Sequence, residues 1–402
     1  MASCIGHIDA DCFYVSAERV RLPHLRGLPV GVLGNHGACI IAKSYEMKET
    51  GVTTGMPIWE AVPICPDGIY VKRDFAWYEL LSRQMLSLVK AASPMVEYYS
   101  IDEMFYHAFR PALSDAMALQ RRILVDVGVP TSVGIAPTKI LAKLASSSRK
   151  PFGAHVIATN DDRLELLSGL PVTKITGIAS RSAKVLSGYG ITTCDQFASA
   201  DRRLVRKLLT KRGEDLWWEL NGDSVIPVAP IRPRHKFIAR GGSLGRATAD
   251  IDRLRAFVVR NVERLVEALN YYKLGCDQIS LDLSFKPAGR GLLRESLMAT
   301  SWRFEELVLA ALRLFHRLWT GNGMVHYMHV IAGRLRKRSQ AQLSLFPRGD
   351  EREERIDRLK HEINESVGRF ALRSGATLPL RDVYGDAANA YDICDIYGKT
   401  CF

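Results

Sequence analysis

Two short acidic stretches carry the residues best suited to chemistry. Gly6-His7-Ile8-Asp9-Ala10-Asp11-Cys12-Phe13-Tyr14 opens the chain, and Ser100-Ile101-Asp102-Glu103 precedes Met104-Phe105-Tyr106 further along. An Asp on one strand and an Asp-Glu pair on a neighbouring strand can converge on a site for two divalent cations. Hard oxygen ligands suit Mg²⁺, which keeps several waters and is usually shared with substrate phosphates. Two such ions about 3.5–4 Å apart stabilise the attacking and leaving oxygens of an in-line phosphoryl displacement. A lone Asp-Glu pair is more often a solvated turn, so the weight of this reading depends on what surrounds it.

The elements that must position these carboxylates follow from patterning. Residues 4–9 read as a short apolar strand, 13–19 as the start of a helix, and 30–33 and 38–43 as strands. Residues 45–50 read as a helix closed by Gly51, and 56–61 as another opened by Pro57. Leu80, Leu81, Met85, Leu88 and Val89 recur at helical spacing across 75–92. Pro94 stops that helix. Strands are expected at 95–100 and 103–107, a helix at 112–127 and a strand at 131–135. Alternating helices and strands to about residue 168 indicate an α/β or α+β catalytic region.

The 402 residues carry a formal net charge of +12, a length that predicts roughly two to four domains. The basic excess favours a polyanionic partner, although anionic membranes and ribosomal surfaces also attract basic chains. Eight scattered cysteines with no CxxC pair argue against a zinc site or disulfide scaffold and fit a reducing compartment. Asp9 and Asp11 stand where a signal peptide needs an apolar core. No stretch approaches the ~20 apolar residues of a membrane span. A cytoplasmic, nucleoid-associated protein with no membrane partner is expected.

Past residue 169 the pattern becomes helical. Residues 170–179, a helix through 183–189 and Gly190 form a helix-hairpin-helix pattern, whose turn points N–H groups at a phosphate. The alternative is an ordinary α-hairpin; the basic run Arg202, Arg203, Arg206, Lys207, Lys211 and Arg212 leans toward DNA. Residues 226–236 hold three prolines and read as a linker. Beyond it, a strand-helix-strand-strand-helix-strand order (237–244, 251–272, 276–285, 295–301, 304–319, 326–335) matches a split βαβ unit. Within 276–285, Ile279, Leu281, Leu283 and Phe285 alternate with Gln278, Ser280, Asp282 and Ser284, which predicts one buried and one presented face. Arg240, Arg246, Arg334 and Arg336 are expected to let the presented face track a nucleic-acid backbone; base-stacking aromatics are not obvious there. The tail from 339 carries Gln342-Leu343-Ser344-Leu345-Phe346, which reads as a docking peptide for an apolar pocket, then a charged helix over 350–367. Residues 368–402 hold no interpretable motif.

Several motifs occur together in order and spacing: Asp9-Ala-Asp-Cys-Phe-Tyr14, Tyr45-Glu-Met-Lys48 with Gly51-Val52, Ser100-Ile-Asp-Glu103, Gly134-Ile-Ala-Pro-Thr-Lys139, Leu141-Ala-Lys143 and Lys150-Pro151. Over residues 1 to about 336 the chain resembles the Y-family (translesion) DNA polymerases. Gly37–Ala42, Leu170-Pro-Val172 with Gly177-Ile178, and Ser243-Leu244-Gly245 are most similar to the UmuC branch, and Gln342–Phe346 to the sliding-clamp-binding peptide of bacterial polymerases.

The resemblance implies an α+β multidomain, right-hand polymerase. Its parts would be a palm (1–22 and 72–168), small fingers (23–71), a helix-hairpin-helix thumb (169–225), a linker (226–236), a split βαβ little finger (237–338) and a C-terminal tail (339–402). It implies Asp9, Asp102 and Glu103 as catalytic ligands of two Mg²⁺ ions, with the Ala10 carbonyl as a further oxygen. Tyr14 would be the steric gate against a 2′-hydroxyl, and Tyr45, Lys48 and Lys150 would hold the triphosphate. Many family members have Arg where Lys48 stands, so a point charge would replace a bidentate grip there. Cys39, Ile41 and Gly55 would cover the nascent base pair. Gly177, Ile178 and Ala179 would contact DNA, and Gln342, Leu343, Leu345 and Phe346 the clamp. The implied partners are primer-template DNA, dNTP and a bacterial sliding clamp, with UmuD-like and RecA-like proteins as further candidates. No proofreading nuclease segment is seen, so low-fidelity translesion synthesis in an SOS-type damage response is expected. The competing readings are a non-catalytic clamp- and DNA-binding adaptor, another two-metal enzyme on a palm-like fold such as a nucleotide cyclase, and a DNA-binding scaffold without chemistry.

Overall fold

The computed structural model describes residues 4–34, 39–231, 234–340, 351–384, 394–395 and 398–399. The chain divides into two compact units, Met1–Arg232 and Pro233–Phe402.

The first unit runs β1 (Cys4–Ala10), α1 (Phe13–Arg21), β2 (Val30–Leu33), β3 (Ile40–Lys43), α2 (Tyr45–Glu49), α3 (Ile58–Ile64), β4 (Ile69–Lys72), α4 (Phe75–Ala92), β5 (Val96–Tyr98) and β6 (Glu103–Ala108). It continues through α5 (Leu113–Val127), β7 (Thr131–Ala136), α6 (Lys139–Ser148), β8 (Ala154–Val156), α7 (Asn160–Leu167), α8 (Ser180–Ser187), α9 (Cys194–Ser199) and α10 (Arg202–Leu220). The main sheet has the order β5-β6-β1-β7-β8. As its central strand, β1 is buried along its whole length, which is why a stretch that includes His7 and Asp9 still forms a core strand. Thr138 caps α6 by accepting the Leu141 N–H, and the helix lies on the sheet through Ile5, Phe105, Ala136, Leu141 and Leu144. Gly134 allows the approach: a Cβ there would stand 2.1 Å from the Ala142 carbonyl oxygen and 2.4 Å from the Ser146 nitrogen.

A second, three-stranded sheet of order β3-β2-β4 encloses its own core of Leu33, Ile40, Met47, Val52, Ala61 and Cys65. The helices past residue 160 share a core with α6 through Leu167, Val172, Ile178, Leu186, Phe197 and Leu216. Here the expected hairpin is altered. Its first arm is a single 3-10 turn at Val172–Lys174, and only the second, α8, is a helix. The basic run lies on α10, kinked at Thr210 (φ +63°). The carboxylate of Glu214, 4% exposed, pairs with Arg202, Arg206 and Lys211, whose side chains stay largely exposed.

The expected linker also begins later than its prolines suggested. Buried Glu219 accepts the N–H groups of Val225 and Ile226 at 2.9 and 2.8 Å, and Glu97 accepts that of Ala229 at 2.7 Å. Residues 225–229 are therefore fastened to the first unit.

The second unit runs β9 (Phe237–Thr248), α11 (Ile251–Tyr271), β10 (Leu274–Lys286), β11 (Arg290–Ser301), α12 (Phe304–Leu318) and β12 (Met324–Lys337). The sheet order β11-β10-β12-β9 with antiparallel neighbours leaves β9 and β10 parallel and separated by β12, the expected split βαβ arrangement. The helix-facing core holds Ile279, Leu281, Leu283, Val330, Phe257 and Phe315. The alternation in β10 is real, but its other face is not open at the centre. Ser280 and Asp282 are buried, and Arg290 closes over Asp282 with Nε and Nη2 at 2.9 and 2.5 Å.

Beyond the sheet, α13 (Glu351–Ser366), a 3-10 turn (Gly375–Leu380) and α14 (Arg381–Tyr384) form a strap along α11. Leu380 and Val383 enter the core. Lys360, Arg369 and Asp382 pair with Glu263, Glu267 and Arg253 of α11. Much of what read as a tail is thus part of this unit. Gln342–Phe346 lies outside the described residues.

Candidate active site

The sheet register assembles the acidic centre. β1 and β6 are antiparallel with Asp9 opposite Glu103, and the Ala10 N–H donates to the Asp102 carbonyl at 2.9 Å. Side chains directly opposite in such a pair have Cβ atoms about 4.5–5.5 Å apart. Two carboxylates are therefore neighbours, with the third one residue before Glu103. Asp102 accepts a hydrogen bond from Ser100 Oγ at 2.5 Å. Burial, and then the nearby negative charge of Asp9, push its carboxyl up from the ordinary value against the Ser100 bond. Burial pushes Glu103 up as well, opposed by the Lys143 ammonium.

Gathering buried carboxylates is costly unless counter-charge is at hand. Two lysines brought in by α6 and the turn after it supply that charge. Lys143 Nζ donates to Glu103 Oε1. Lys150 Nζ donates to Asp9 Oδ1 at 2.5 Å and stands 3.7 Å from Asp11 Oδ1. Burial pulls the Lys150 ammonium down, but Asp9 and Asp11 outweigh it and hold its pKa above the ordinary value. Beneath these groups His7 is fully buried, paired with Ser146 Oγ at 2.7 Å. Burial first, then Lys143, Lys150 and Lys139, hold it well below its usual pKa, so it is a neutral packing residue.

Among the described residues no three His, Cys, Asp or Glu side chains stand together as a ready-made metal cage; the lysines take up carboxylate oxygens that a cation would use. The donor set still fits Mg²⁺: hard carboxylates on a rigid sheet, two of them register partners, with no soft ligand among the three.

Around this centre, Tyr14 belongs to an aromatic group, stacked on Tyr78 with ring centroids 4.7 Å apart and edge-on to Phe75 at 5.8 Å. Burial, then the charge of Asp102, raises its hydroxyl pKa. Tyr45 opens α2, and burial, then Asp11, Cys12 and Asp9, raise its pKa. The Lys48 ammonium lies 6.0 Å from the Tyr45 ring centroid. Cys39 bridges to Pro57 and the Gly55 N–H donates to the Ile40 carbonyl at 2.7 Å. Cys39, Ile41 and Gly55 therefore share one corner of the small sheet.

Two residues that the sequence reading left without a role, Lys143 and Asp11, join the site, and a third, Glu97, holds the first lysine of α6. Lys143 lies seven residues before Lys150 on the face of α6 that meets β1 and β6. Asp11 is 2% exposed and faces the 150–153 turn. Glu97 accepts Lys139 Nζ at 2.7 Å. Their charge in apolar surroundings was a signal, but their partners come from distant segments.

The candidate DNA contacts fare unevenly. Gly177 takes φ +107° and Ala179 is the N-cap of α8, whereas the Ile178 side chain is buried, leaving only its backbone available. Arg246, Arg334 and Arg336 are exposed, and Arg336 pairs with Asp277 at 2.6 Å. Arg240 is a correction. It is 4% exposed, and its register partner Val330 and neighbour Ile238 belong to the helix-facing core, so it points away from the presented face. Phe237 and Tyr327 are exposed instead, and the register places them on the face of Gln278 and Ser284.

Comparison with known proteins agrees with this architecture. The sequence pattern of the impB/mucB/samB family matches residues 8–147, and that of the family's C-terminal domain matches residues 235–345. DNA polymerase IV of Bacillus velezensis is 30% identical over 387 residues, covering 93% of each chain. Protein ImpB of Salmonella typhimurium is 31% identical over 331 residues, covering 77% of this chain and 78% of its own. The solved Y-family DNA polymerase chimera Dbh-Dpo4(243-245)-Dbh shares the fold at a TM-score of 0.70 and 22% identity, over 82% of this chain and 98% of that one. The chain belongs to the impB/mucB/samB family of Y-family DNA polymerases.

Proposed function

We propose that this chain is a template-directed, low-fidelity translesion polymerase that transfers a nucleotide from dNTP to a primer 3′-hydroxyl. The observation that carries the reading is the register of Asp9 opposite Glu103 with Asp102 beside them, in a site whose lysines can turn from carboxylate to phosphate. Asp9, Asp102, Glu103 and the Ala10 carbonyl would hold two Mg²⁺ ions, which when bound supply the Lewis acidity that activates the primer hydroxyl and stabilises the leaving pyrophosphate. Lys150, Lys48 and Tyr45 take the triphosphate, whose negative charge replaces the carboxylates that Lys150 now faces. Tyr14, held by Tyr78 and Phe75, presents its ring edge to the sugar and excludes a 2′-hydroxyl. Cys39, Ile41 and Gly55 cover the new base pair.

The reading extends to the parts that grip DNA and partners. The Gly177–Ala179 turn and Arg246, Arg334 and Arg336 contact backbone phosphates; Arg240 is left out because it is buried. Gln342, Leu343, Leu345 and Phe346 dock on a sliding clamp. An SOS-type role and UmuD-like or RecA-like partners rest on the UmuC-like motifs. A non-catalytic adaptor would have no use for Asp9 opposite Glu103, with Asp102 next to it, and for the lysines that pair with them.

The test is primer extension on undamaged and abasic templates with Mg²⁺ and four dNTPs, comparing wild type with Asp102→Ala/Glu103→Ala. Extension by wild type that disappears in the double variant supports the reading. Equal extension by both refutes the assigned catalytic centre, and extension by neither, with DNA binding intact, favours the adaptor unless clamp and RecA filament restore activity to wild type.

A further inference from the structure

The turn after α6 is held in an unfavourable conformation by a residue to which the polymerase reading gives no task. Phe152 has φ +49°, a left-handed backbone that a bulky aromatic residue rarely adopts and that costs about 1–3 kcal/mol. Such a conformation persists only where its surroundings over-determine it. The determinant is Asp11. Its Oδ2 accepts the Phe152 N–H at 2.8 Å, and its two oxygens accept Ser132 Oγ at 2.9 and 3.0 Å. Ser132 Oγ in turn accepts the Gly153 N–H at 3.4 Å. The base of this arrangement is fixed as well: the Asp11 N–H donates to the Pro130 carbonyl and its own carbonyl accepts Ser16 Oγ.

Asp11 is almost completely buried and points at the turn, whereas Asp9 faces the register partner Glu103. The two carboxylates of the Asp9-Ala10-Asp11 stretch therefore have different tasks. Two residues before Phe152 stands Lys150, whose ammonium lies within 3.7 Å of Asp11 Oδ1. We propose that Asp11 is the positioning residue for Lys150: by accepting the Phe152 N–H and the Ser132 hydroxyl it locks the 150–153 turn so that the Lys150 ammonium is already held at the acidic centre, within reach of the triphosphate, before dNTP arrives. Asp11 itself touches neither metal nor nucleotide. Pre-organising a flexible lysine removes part of the ordering cost from the binding step, so the effect falls on nucleotide affinity.

This inference rests on the reading that Lys150 grips the triphosphate, and the test separates the two. Equilibrium dNTP binding to the complex of enzyme with a dideoxy-terminated primer-template, together with KM and kcat for extension, is measured for wild type, Asp11→Ala, Asp11→Asn, Lys150→Ala and Asp11→Ala/Lys150→Ala. Loss of this hold should weaken dNTP binding by roughly tenfold in Asp11→Ala, with KM raised and kcat little changed. Asp11→Asn keeps an oxygen for the Phe152 N–H and should stay within about threefold of wild type. Because Asp11 acts through Lys150, the double variant should bind dNTP no more weakly than Lys150→Ala alone. Asp11→Ala binding dNTP like wild type while Lys150→Ala does not, or losses that multiply in the double variant, would overturn the proposal. Lys150→Ala binding dNTP like wild type would overturn the Lys150 reading and the proposal together. Should Asp11→Ala fail to fold, Ser132→Ala, which removes one of the donors that orient Asp11, should raise KM by a few-fold in the Lys150 background and none in Lys150→Ala.

Discussion

Replacing Gly134 with Ala should damage stability and catalysis together, and the size of both effects follows from the packing of α6. The added methyl would lie 2.1 Å from the Ala142 carbonyl oxygen and 2.4 Å from the Ser146 nitrogen, roughly 1 Å inside ordinary contact. Both are backbone atoms of a helix, so relief requires α6 to move as a body or the strand to bend. Overpacking of this kind costs about 1–3 kcal/mol, while Gly→Ala in an otherwise tolerant strand recovers about 0.5–1 kcal/mol. A net loss of about 1–2 kcal/mol lowers the Tm of a unit this size by roughly 2–8 °C. The same shift carries Lys143 off Glu103 and Lys150 off the site, and a displacement near 1 Å costs up to about a hundredfold in rate. Calorimetry and dNTP-dependent extension at 25 °C read the two effects on the same sample. A Gly134→Ala protein with unchanged Tm and extension within twofold of wild type would refute the claim that this approach sets the lysines.

His7 is neutral in the fold and its pKa lies below the unfolded value, so the unfolded chain binds the extra proton and stability falls as pH drops below about 6.5, by up to about 1.4 kcal/mol per pH unit. Tm measured from pH 7.5 to 5.5 should decline less steeply in His7→Phe than in wild type; parallel curves would contradict this. Arg240→Ala should destabilise the little finger by about 1–3 kcal/mol and leave the salt dependence of DNA binding unchanged, whereas Arg246→Ala should keep Tm and reduce the slope of log K against log salt by about 1. Leu380→Ala, which opens a hole in the core beneath the strap, should cost about 2–5 kcal/mol and speed proteolysis of the second unit. Chelation of divalent ions should abolish extension and leave the fold intact, because Lys143 and Lys150 already neutralise Glu103 and Asp9; circular dichroism with and without EDTA distinguishes this from unfolding.

Much of both units was legible because their strands and helices are long and periodic. Residues 75–92 read as one helix and form one, and the β-α-β-β-α-β order was recoverable from turns alone. Misreadings arose where burial comes from a partner distant in sequence. Arg240 looks like a surface cation until the β9–β12 register assigns it the parity of Ile238. Residues 368–384 carry no periodicity, yet Leu380 and Val383 find a core made by α11. The basic run on α10 keeps its cations at the surface, although Arg202, Arg206 and Lys211 pair with buried Glu214 beyond the kink at Thr210.

The active site shows the same division at finer scale. Acidic residues flanked by apolar strands suggest a cation site only in company, so Asp9, Asp102 and Glu103 stood out through the motifs that accompany them and not through residue type alone. Lysines that balance them carry no such signature, since a lysine on an amphipathic helix is ordinarily solvated. What converts Lys143 and Lys150 into site residues is the absence of a side chain at Gly134, which brings α6 down onto β1, and the left-handed turn at Phe152, which returns the chain toward Asp11. A glycine in a strand and a strained turn are weak signals in a sequence. In the fold they decide whether the carboxylates have a counter-charge at bonding distance or are left to repel one another, and so whether the acidic centre can persist before any cation binds.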